Sequence, residues 1–354
     1  MVNLSLCTWG TAEAWDECQF AAIIFRGVDG QMRCRLVGVG GCGCKVMQHL
    51  LNQGLLGVDY KRLTRRHFDS DIQCMVMDTD AQALEQTSVA SKLQIGKQLT
   101  AVLVAGGDLG IGRLAALENR EEIKQQLQGV WVTIIITGMG GGTGTGATPV
   151  IADIARETGA FTIAVVTKPL NVEGTKRSKI TAAALPELSQ HVDSLIVFDN
   201  QKIADSVSTE QSIVNTFQLA NNEIFNALMC ICYGPFSSYI GFDWSDVEMV
   251  LRGQGYITVV HSVGQGKNFI EDAFYRTFKS PLIDQVDLKS ITGAGVLVFV
   301  RVSPNFSITL WAKIDEEVQN WINEEADLKY CMLFDEKFSV DQIEFTIFLA
   351  GLQG

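Results

Sequence analysis

Between residues 138 and 146 the chain reads Gly-Met-Gly-Gly-Gly-Thr-Gly-Thr-Gly. This run follows an apolar stretch, Val130 to Thr137, and leads into a helical stretch with Pro149 near its first turn. A flexible linker joins separate units, whereas these glycines lie between a buried strand and the helix it feeds. Without Cβ atoms, successive backbone N–H groups can converge on an anion. The start of the helix adds positive potential, and the threonine hydroxyls add donors for phosphate oxygens. A di- or triphosphate suits such a loop. No Walker lysine pattern accompanies it, so it is not an ordinary P-loop.

A second cluster, Gly38-Val39-Gly40-Gly41-Cys42-Gly43, also follows a strand and opens a helix, Cys44 to Leu51. Taken alone it matches the dinucleotide fingerprint, with Asp78 and Asp80 beyond the next strand to hold a ribose. An NAD-type oxidoreductase is therefore the lesser alternative. Against it, Asp78 lies more than 30 positions beyond Gly43, where about twenty is usual. That alternative also leaves the richer glycine run unexplained.

Around these loops, short apolar runs recur at Cys34–Val39, Ile72–Met77, Val130–Thr137, Phe161–Thr167 and Leu195–Phe198. Several do not alternate, as in a parallel sheet covered on both faces. Helices are expected at Arg113–Leu127, stopped by Gly129, and at Pro149–Thr158. The fold class is α/β: a doubly wound, mostly parallel sheet over residues 32–205, after an irregular extension, 1–31. A long helix, part of a 206–233 segment, runs from Ser208 to Ile231, with Ser208 and Gln211 as a capping box. Its spaced apolar residues are Ile213, Phe217, Ala220, Ile224, Leu228 and Ile231, and Glu223 is its one charge beyond Ile213, so it should lie buried between layers. Residues 234–354 read as a smaller α+β domain. Its helices are Ser245–Arg252, Asn268–Phe278 and Ile314–Glu324. Its strands are Tyr256–Ser262, Val296–Val302, Ile308–Trp311, Tyr330–Phe334 and Ile343–Leu349.

The 354 residues carry a net charge of -12, which disfavours nucleic acid unless a basic patch is segregated. No segment approaches the roughly 20 apolar residues of a membrane span, and no signal peptide is visible. The 9 cysteines have no disulfide-scaffold spacing and read as reduced thiols of a cytoplasmic protein. Cys42/Cys44 and Cys230/Cys232 look like half metal sites without a matching second pair, so no metal ligands are assigned.

The glycine run, continuing through Ala147-Thr148-Pro149-Val150-Ile151-Ala152 and Thr162-Ile163-Ala164-Val165-Val166-Thr167-Lys168-Pro169, resembles the signature of FtsZ, the bacterial relative of tubulin. Gly38-Val39-Gly40-Gly41 and Asp78-Thr79-Asp80-Ala81-Gln82-Ala83-Leu84 match that family's first two nucleotide loops. The resemblance spans about residues 33 to 352 and is strongest in the first half. It implies a GTPase that binds GTP or GDP, with Mg2+ a further expectation, and that polymerises head to tail.

By the resemblance, Gly40, Gly41, Cys42, Gly43 and Lys45 approach the phosphates, opposite Gly138, Gly140, Gly141, Gly142, Thr143, Gly144 and Thr145. Asp80 lies in the second loop, and Ala105 and Gly106 lie near the terminal phosphate. Glu173 and Arg177 contact ribose and phosphate, and Asn200 the sugar or base. Phe217 stacks on guanine while Asn221 and Asn222 bond its edge. Asp243 and Asp246 are the catalytic pair, acting on the nucleotide of the next subunit. Residues i and i+3 at a helix start face the same way, so both can orient a water or cation. Asp243 also reads as a helix cap.

Several positions depart from the family. Cys42 and Cys44 replace glycines, opening the site to oxidation. Lys45 stands where asparagine is usual, and Asn222 replaces an aspartate that accepts from guanine. Gly241 replaces an asparagine, and the third loop lacks its Asn-Pro. Altered hydrolysis is expected, and a nucleotide-binding filament or scaffold with little turnover is the alternative. Residues 59–71 read as an insertion whose basic cluster, Lys61, Arg62, Arg65, Arg66 and His67, is a candidate contact for anionic lipid or an acidic partner. Balance by Asp69 and Asp71 favours a solvated loop. The chain ends with its fold, without the family's linker and anchor-binding tail. The expectation is a divergent cytoplasmic paralogue, at a division or other membrane-remodelling site, that polymerises with itself or with another FtsZ.

Overall fold

Strands that carry apolar residues at successive positions need cover on both faces. The computed structural model describes residues 33–56, 71–99, 105–206, 212–236, 241, 243–253, 255–283, 289 and 295–352. Its strands β1 (Arg33–Val39), β2 (Asp71–Asp78), β3 (Ser91–Gln94), β4 (Val132–Gly138), β5 (Phe161–Lys168) and β6 (Ser194–Asp199) lie in the order β3-β2-β1-β4-β5-β6. All of these pairings are parallel. Helices α1 (Gly40–Asn52), α2 (Ala81–Glu85), α3 (Leu109–Glu118), α4 (Arg120–Leu127), α5 (Gly142–Glu157), α6 (Thr175–His191) and α7 (Asn200–Asp205) connect the strands. Successive strand residues alternate between two cores. Leu36, Ile134, Ile136 and Val165 pack with Val46, Met47 and Leu50 of α1. Val37, Ile135, Ala164 and Val166 pack with Ala115, Ile123, Ile151 and Leu188 of α3 to α6.

Beyond β6 come α8 (Ile213–Tyr233), α9 (Trp244–Leu251), β7 (Tyr256–Gln265), α10 (Phe269–Phe278), β8 (Gly295–Val302), α11 (Ile308–Trp321), β9 (Asp327–Phe334) and β10 (Gln342–Leu352). These strands extend the same sheet in the order β6-β7-β10-β8-β9. The join is narrow: β7 meets β6 in parallel through Leu195 with Tyr256 and Ile196 with Ile257. β10 runs antiparallel to β7 and β8. One face of this half is covered by Phe274, Phe278, Ile314 and Val318 of α10 and α11. The other face is covered by α8. Its Ile224, Leu228 and Ile231 are fully buried in one core with Ile196 and Phe198 of β6 and with Val259, Leu297, Phe299 and Phe348. Each such side chain contributes about 1.5–3 kcal/mol by leaving water. The helix is thereby tied to both halves. At its end the Tyr233 hydroxyl donates to the Leu55 carbonyl at 2.8 Å, and Cys331 Sγ donates to the Gly234 carbonyl at 3.2 Å.

Four sequence expectations change. The stretch Ile308–Trp311 is the first turn of α11, not a strand, because Ser307 caps it by accepting from the Leu310 N–H. The stretch Arg113–Leu127 is two helices, α3 and α4, broken at Asn119. Helix α8 starts at Ser212, whose side chain accepts from the Asn215 N–H, and runs to Tyr233. Its first turn is exposed rather than buried, with Ile213 60% and Val214 65% accessible. Ser208, Gln211, the N-terminal extension and the Lys61–His67 cluster lie outside the described residues.

Candidate functional site

In an open parallel sheet, ligands sit beyond the carboxyl ends of strands where the order reverses. Here the reversal is between β1 and β4, which pair directly. Helices α1 and α5 both begin there, α1 at Gly40 and α5 at Gly142. Neither has a side-chain N-cap hydrogen bond or an acidic residue in its first turn. The orphan N–H groups of two helix starts therefore point at one space with no built-in anion to satisfy them.

The glycines divide into two groups. A Cβ on Gly141 would meet nothing within 4 Å, and one on Gly41 only Asp78 Oδ2 at 3.9 Å. These two, with the open Gly107, leave the backbone accessible. The others are pressed against protein. Gly40, at φ +71°, would place a Cβ 2.9 Å from the Gly144 N, so the starts of α1 and α5 touch there. A Cβ on Gly138 would lie 2.6 Å from Cys42 Sγ, and one on Gly144 2.5 Å from Thr137 Oγ1. Gly142 and Gly146, one helical turn apart, lie against Asp108 and Leu109 at the start of α3, and Gly112 of α3 lies against the Gly142 carbonyl. Two of the six glycines of the run thus seat α3 on α5.

The threonines are also engaged. Thr143 Oγ1 is 2.8 Å from Thr79 Oγ1, and Thr145 Oγ1 accepts from the Gly140 N–H at 2.9 Å. They brace the loop. Asp80 caps α2 by accepting from the Gln82 N–H at 2.9 Å. Asp78 is buried beside Gly41, and burial pushes its carboxyl above the usual range. In the third loop, Ala105 accepts from the Asp108 N–H at 2.8 Å, and Gly106 and Gly107 have φ of +58° and +86°. Lys45 is exposed on α1. Cys42 is exposed, whereas Cys44 is buried and its thiol is pushed up to about 12 by desolvation. Desolvation raises the Cys42 thiol as well, its Sγ packed against Gly138 and Thr167, so neither member of the oxidisable pair expected at this loop sits where a thiolate is favoured.

Across the cradle, Glu173 accepts from the Leu170 N–H at 2.9 Å and from Arg177 Nη1 at 2.6 Å. Gly140 brings this pair close: a Cβ there would meet Arg177 Cβ at 3.0 Å. Asn200, the first residue of α7 directly after β6, is buried, and its Oδ1 has no partner among the described residues. A ligand hydroxyl would satisfy it. On α8, Phe217 is 37% exposed, a ledge beside the half-buried Asn221 and Asn222. Asn222 Oδ1 lies 2.8 Å from His49 Nε2 of α1, a contact that the sequence did not reveal.

Asp243 and Asp246 lie elsewhere. Asp243 caps α9 by accepting from the Ser245 and Asp246 N–H groups, and Asp246 Oδ2 accepts from the Asp243 N–H at 3.1 Å. Lys329 Nζ sits 3.2 Å from Asp246 Oδ1, a second partner missed in the sequence. Lys329 is near the start of β9, and β8 and β9 run in the same direction as β4 to β7. Trp244 lines a cleft of about 590 Å³ with Trp131, Val132 and Phe161, at the starts of β4 and β5. The carboxylate pair is therefore at the opposite edge of the sheet from the glycine cradle. A strand of 7 residues, the length of β4, spans about 20 Å. One chain cannot bring its own carboxylates to its own cradle.

Residues 33–208 match the family model "Tubulin/FtsZ family, GTPase domain". The cell division protein FtsZ of Wigglesworthia glossinidia brevipalpis is 32% identical over 321 residues, covering 90% of this chain and 79% of the relative. Among solved structures, a point mutant of FtsZ from M. jannaschii aligns with a TM-score of 0.79 at 28% identity, over 97% of this chain and 96% of the other. An empty FtsZ dimer from M. jannaschii aligns at 0.78 and 27% identity, over 97% and 93%.

Proposed function

The chain belongs to the tubulin/FtsZ family, and from that premise we propose that it binds GTP in the β1–β4 cradle and hydrolyses it only when a second copy stacks head to tail. The observation that carries this is the separation of the two half-sites at opposite edges of one sheet. Such a contact is heterologous and does not close, so it generates an open polymer.

In this arrangement the starts of α1 and α5 hold the phosphates through backbone N–H groups. Glu173, Arg177 and Asn200 take the sugar side, and Phe217 and Asn222 take the base. Asp243 and Asp246 of the next copy orient a water toward the terminal phosphate, since positioning is most of what phosphoryl transfer asks of a protein. Lys329 travels with them and offsets the repulsion between two carboxylates and a polyphosphate. Asp78 and Asp80 fit a Mg2+ at the phosphates, because a cation there would offset the cost of the buried Asp78 carboxylate. The ion would supply charge neutralisation, with most of its ligands from phosphate and water.

The expected action of the chain is at a division site in the cytoplasm, with the chain itself as first partner and another FtsZ as second, a reading that relatives named for cell division support. The low-turnover scaffold is favoured by one observation, the ion pair that already occupies Asp246. Replacing Asp243 with alanine separates the two. Under the GTPase proposal turnover falls roughly a hundredfold while GDP affinity stays unchanged. A variant that hydrolyses like the wild type overturns the shared site.

A further inference from the structure

The two carboxylates at the start of α9 are not equivalent. Asp243 accepts from the Ser245 N–H at 2.9 Å, from the Asp246 N–H at 3.1 Å and from the Ser245 hydroxyl, all through Oδ1. Its Oδ2 has no partner among the described residues, and the residue is exposed. Asp246 is held from both sides. Its Oδ2 accepts from the Asp243 N–H at 3.1 Å, and its Oδ1 pairs with Lys329 Nζ at 3.2 Å. Because Asp246 bonds the backbone of Asp243, whatever fixes Asp246 also fixes the residue that carries the open oxygen.

Lys329 does that fixing. It lies on β9, the last strand of the sheet, in register with Leu297 of β8. From there it reaches α9, with Asp327 Oδ1 flanking its ammonium at 3.8 Å. The bond to Asp246 makes Lys329 hold its proton more tightly than usual. The lysine is thus a charged tie between a strand and the helix start that bears both carboxylates. We propose that Lys329 is a positioning residue for hydrolysis: acting through Asp246, it sets the Asp243 carboxylate so that Oδ2 meets the water at the neighbouring copy's cradle. This deepens the shared-site reading above and rests on it. The work of the pair is divided, with Asp243 holding the water while Asp246 and Lys329 hold Asp243.

The test is GTP turnover by the full chain, at saturating GTP and at protein concentrations well above those needed for assembly. GDP affinity and pelleting with a non-hydrolysable GTP analogue are read alongside, because cradle and contact should stay intact while turnover changes. Lys329→Met should lower turnover about fivefold, the worth of a partly exposed ion pair. Lys329→Arg keeps a charged donor within reach and should stay within about twofold of the wild type. Asp246→Asn has one accepting oxygen for two donors and should lose about as much as Lys329→Met. The double variant should be no slower than the slower single, since both changes break one tie. Asp243→Asn replaces the open oxygen and should lose on the order of a hundredfold. Denaturant midpoints should stay near the wild type throughout, whereas a merely structural lysine would shift the midpoint and spare turnover per folded chain. Wild-type turnover in Lys329→Met, or losses that multiply in the double variant, overturn the role of Lys329 and leave the shared site standing. A wild type without turnover, or Asp243→Asn as fast as the wild type, overturns both.

Discussion

Glu223 sits on α8 immediately after Asn222, and its Oε2 is sealed from water with no partner among the described residues. Burial and the nearby Glu344 push its carboxyl up from 4.5 to about 7. At about 1.4 kcal/mol for each tenfold change in proton affinity, that rise is on the order of 3 kcal/mol. The residue is not wholly enclosed, so about 1–3 kcal/mol is the expected effect. The folded state holds this proton more tightly than the unfolded chain does. The associated stability is therefore intact below 4.5, declines as pH rises, and is gone above about 7. Glu223→Gln should match the wild type near pH 4.5 and exceed it by the full amount near pH 8. Denaturant midpoints taken every half pH unit measure this. His261, held down mainly by desolvation, titrates in an overlapping range with the opposite slope. Only the difference between variant and wild type isolates Glu223, because His261 is common to both. Parallel pH profiles, with no divergence between pH 5 and 8, would refute the account of a desolvated carboxylate on α8.

The two kinds of glycine predict opposite outcomes. Gly146→Ala would drive a Cβ to 2.1 Å from the Leu109 carbonyl, so α3 must shift and stability should drop by about 1–3 kcal/mol in denaturant unfolding. Gly141→Asp meets no obstacle: the residue is the α5 N-cap at φ −98° and ψ 164°, where aspartate caps well. The melting temperature should hold or rise. GTP affinity should nevertheless fall on the order of a hundredfold or more, because the new carboxylate stands where a phosphate would. A Gly141→Asp protein that binds nucleotide normally places the cradle elsewhere.

Most of the parallel-sheet half was legible because strands such as β4 and β5 do not alternate and glycine-bearing loops lie between strand and helix, whereas β3, Ser91–Gln94, has a single apolar residue and gave no such signal. The family resemblance rested on those same loops. What the sequence withheld depends on partners distant in the chain. Gly142 and Gly146 are packing glycines only because α3 lies against them. Nothing near position 329 marks Lys329 as the companion of Asp246, which lies on another element. The His49–Asn222 contact joins residues 173 positions apart. Ile308–Trp311 has the composition of a short strand, and only the Ser307 cap turns it into a helix. Ile213 keeps core spacing yet is exposed, because the helix outruns the layers that cover it.

Mixing two disabled variants tests the shared site most directly. Gly141→Asp lacks a working cradle but keeps Asp243, and Asp243→Ala keeps the cradle but lacks its carboxylate. Each alone should show only background GTP hydrolysis. An equal mixture should recover about a quarter of wild-type turnover at the same total concentration, since half of the cradles and half of the carboxylate faces are intact at random contacts. A mixture that stays at background, with both proteins folded and Asp243→Ala still binding GDP, contradicts a site assembled from two copies.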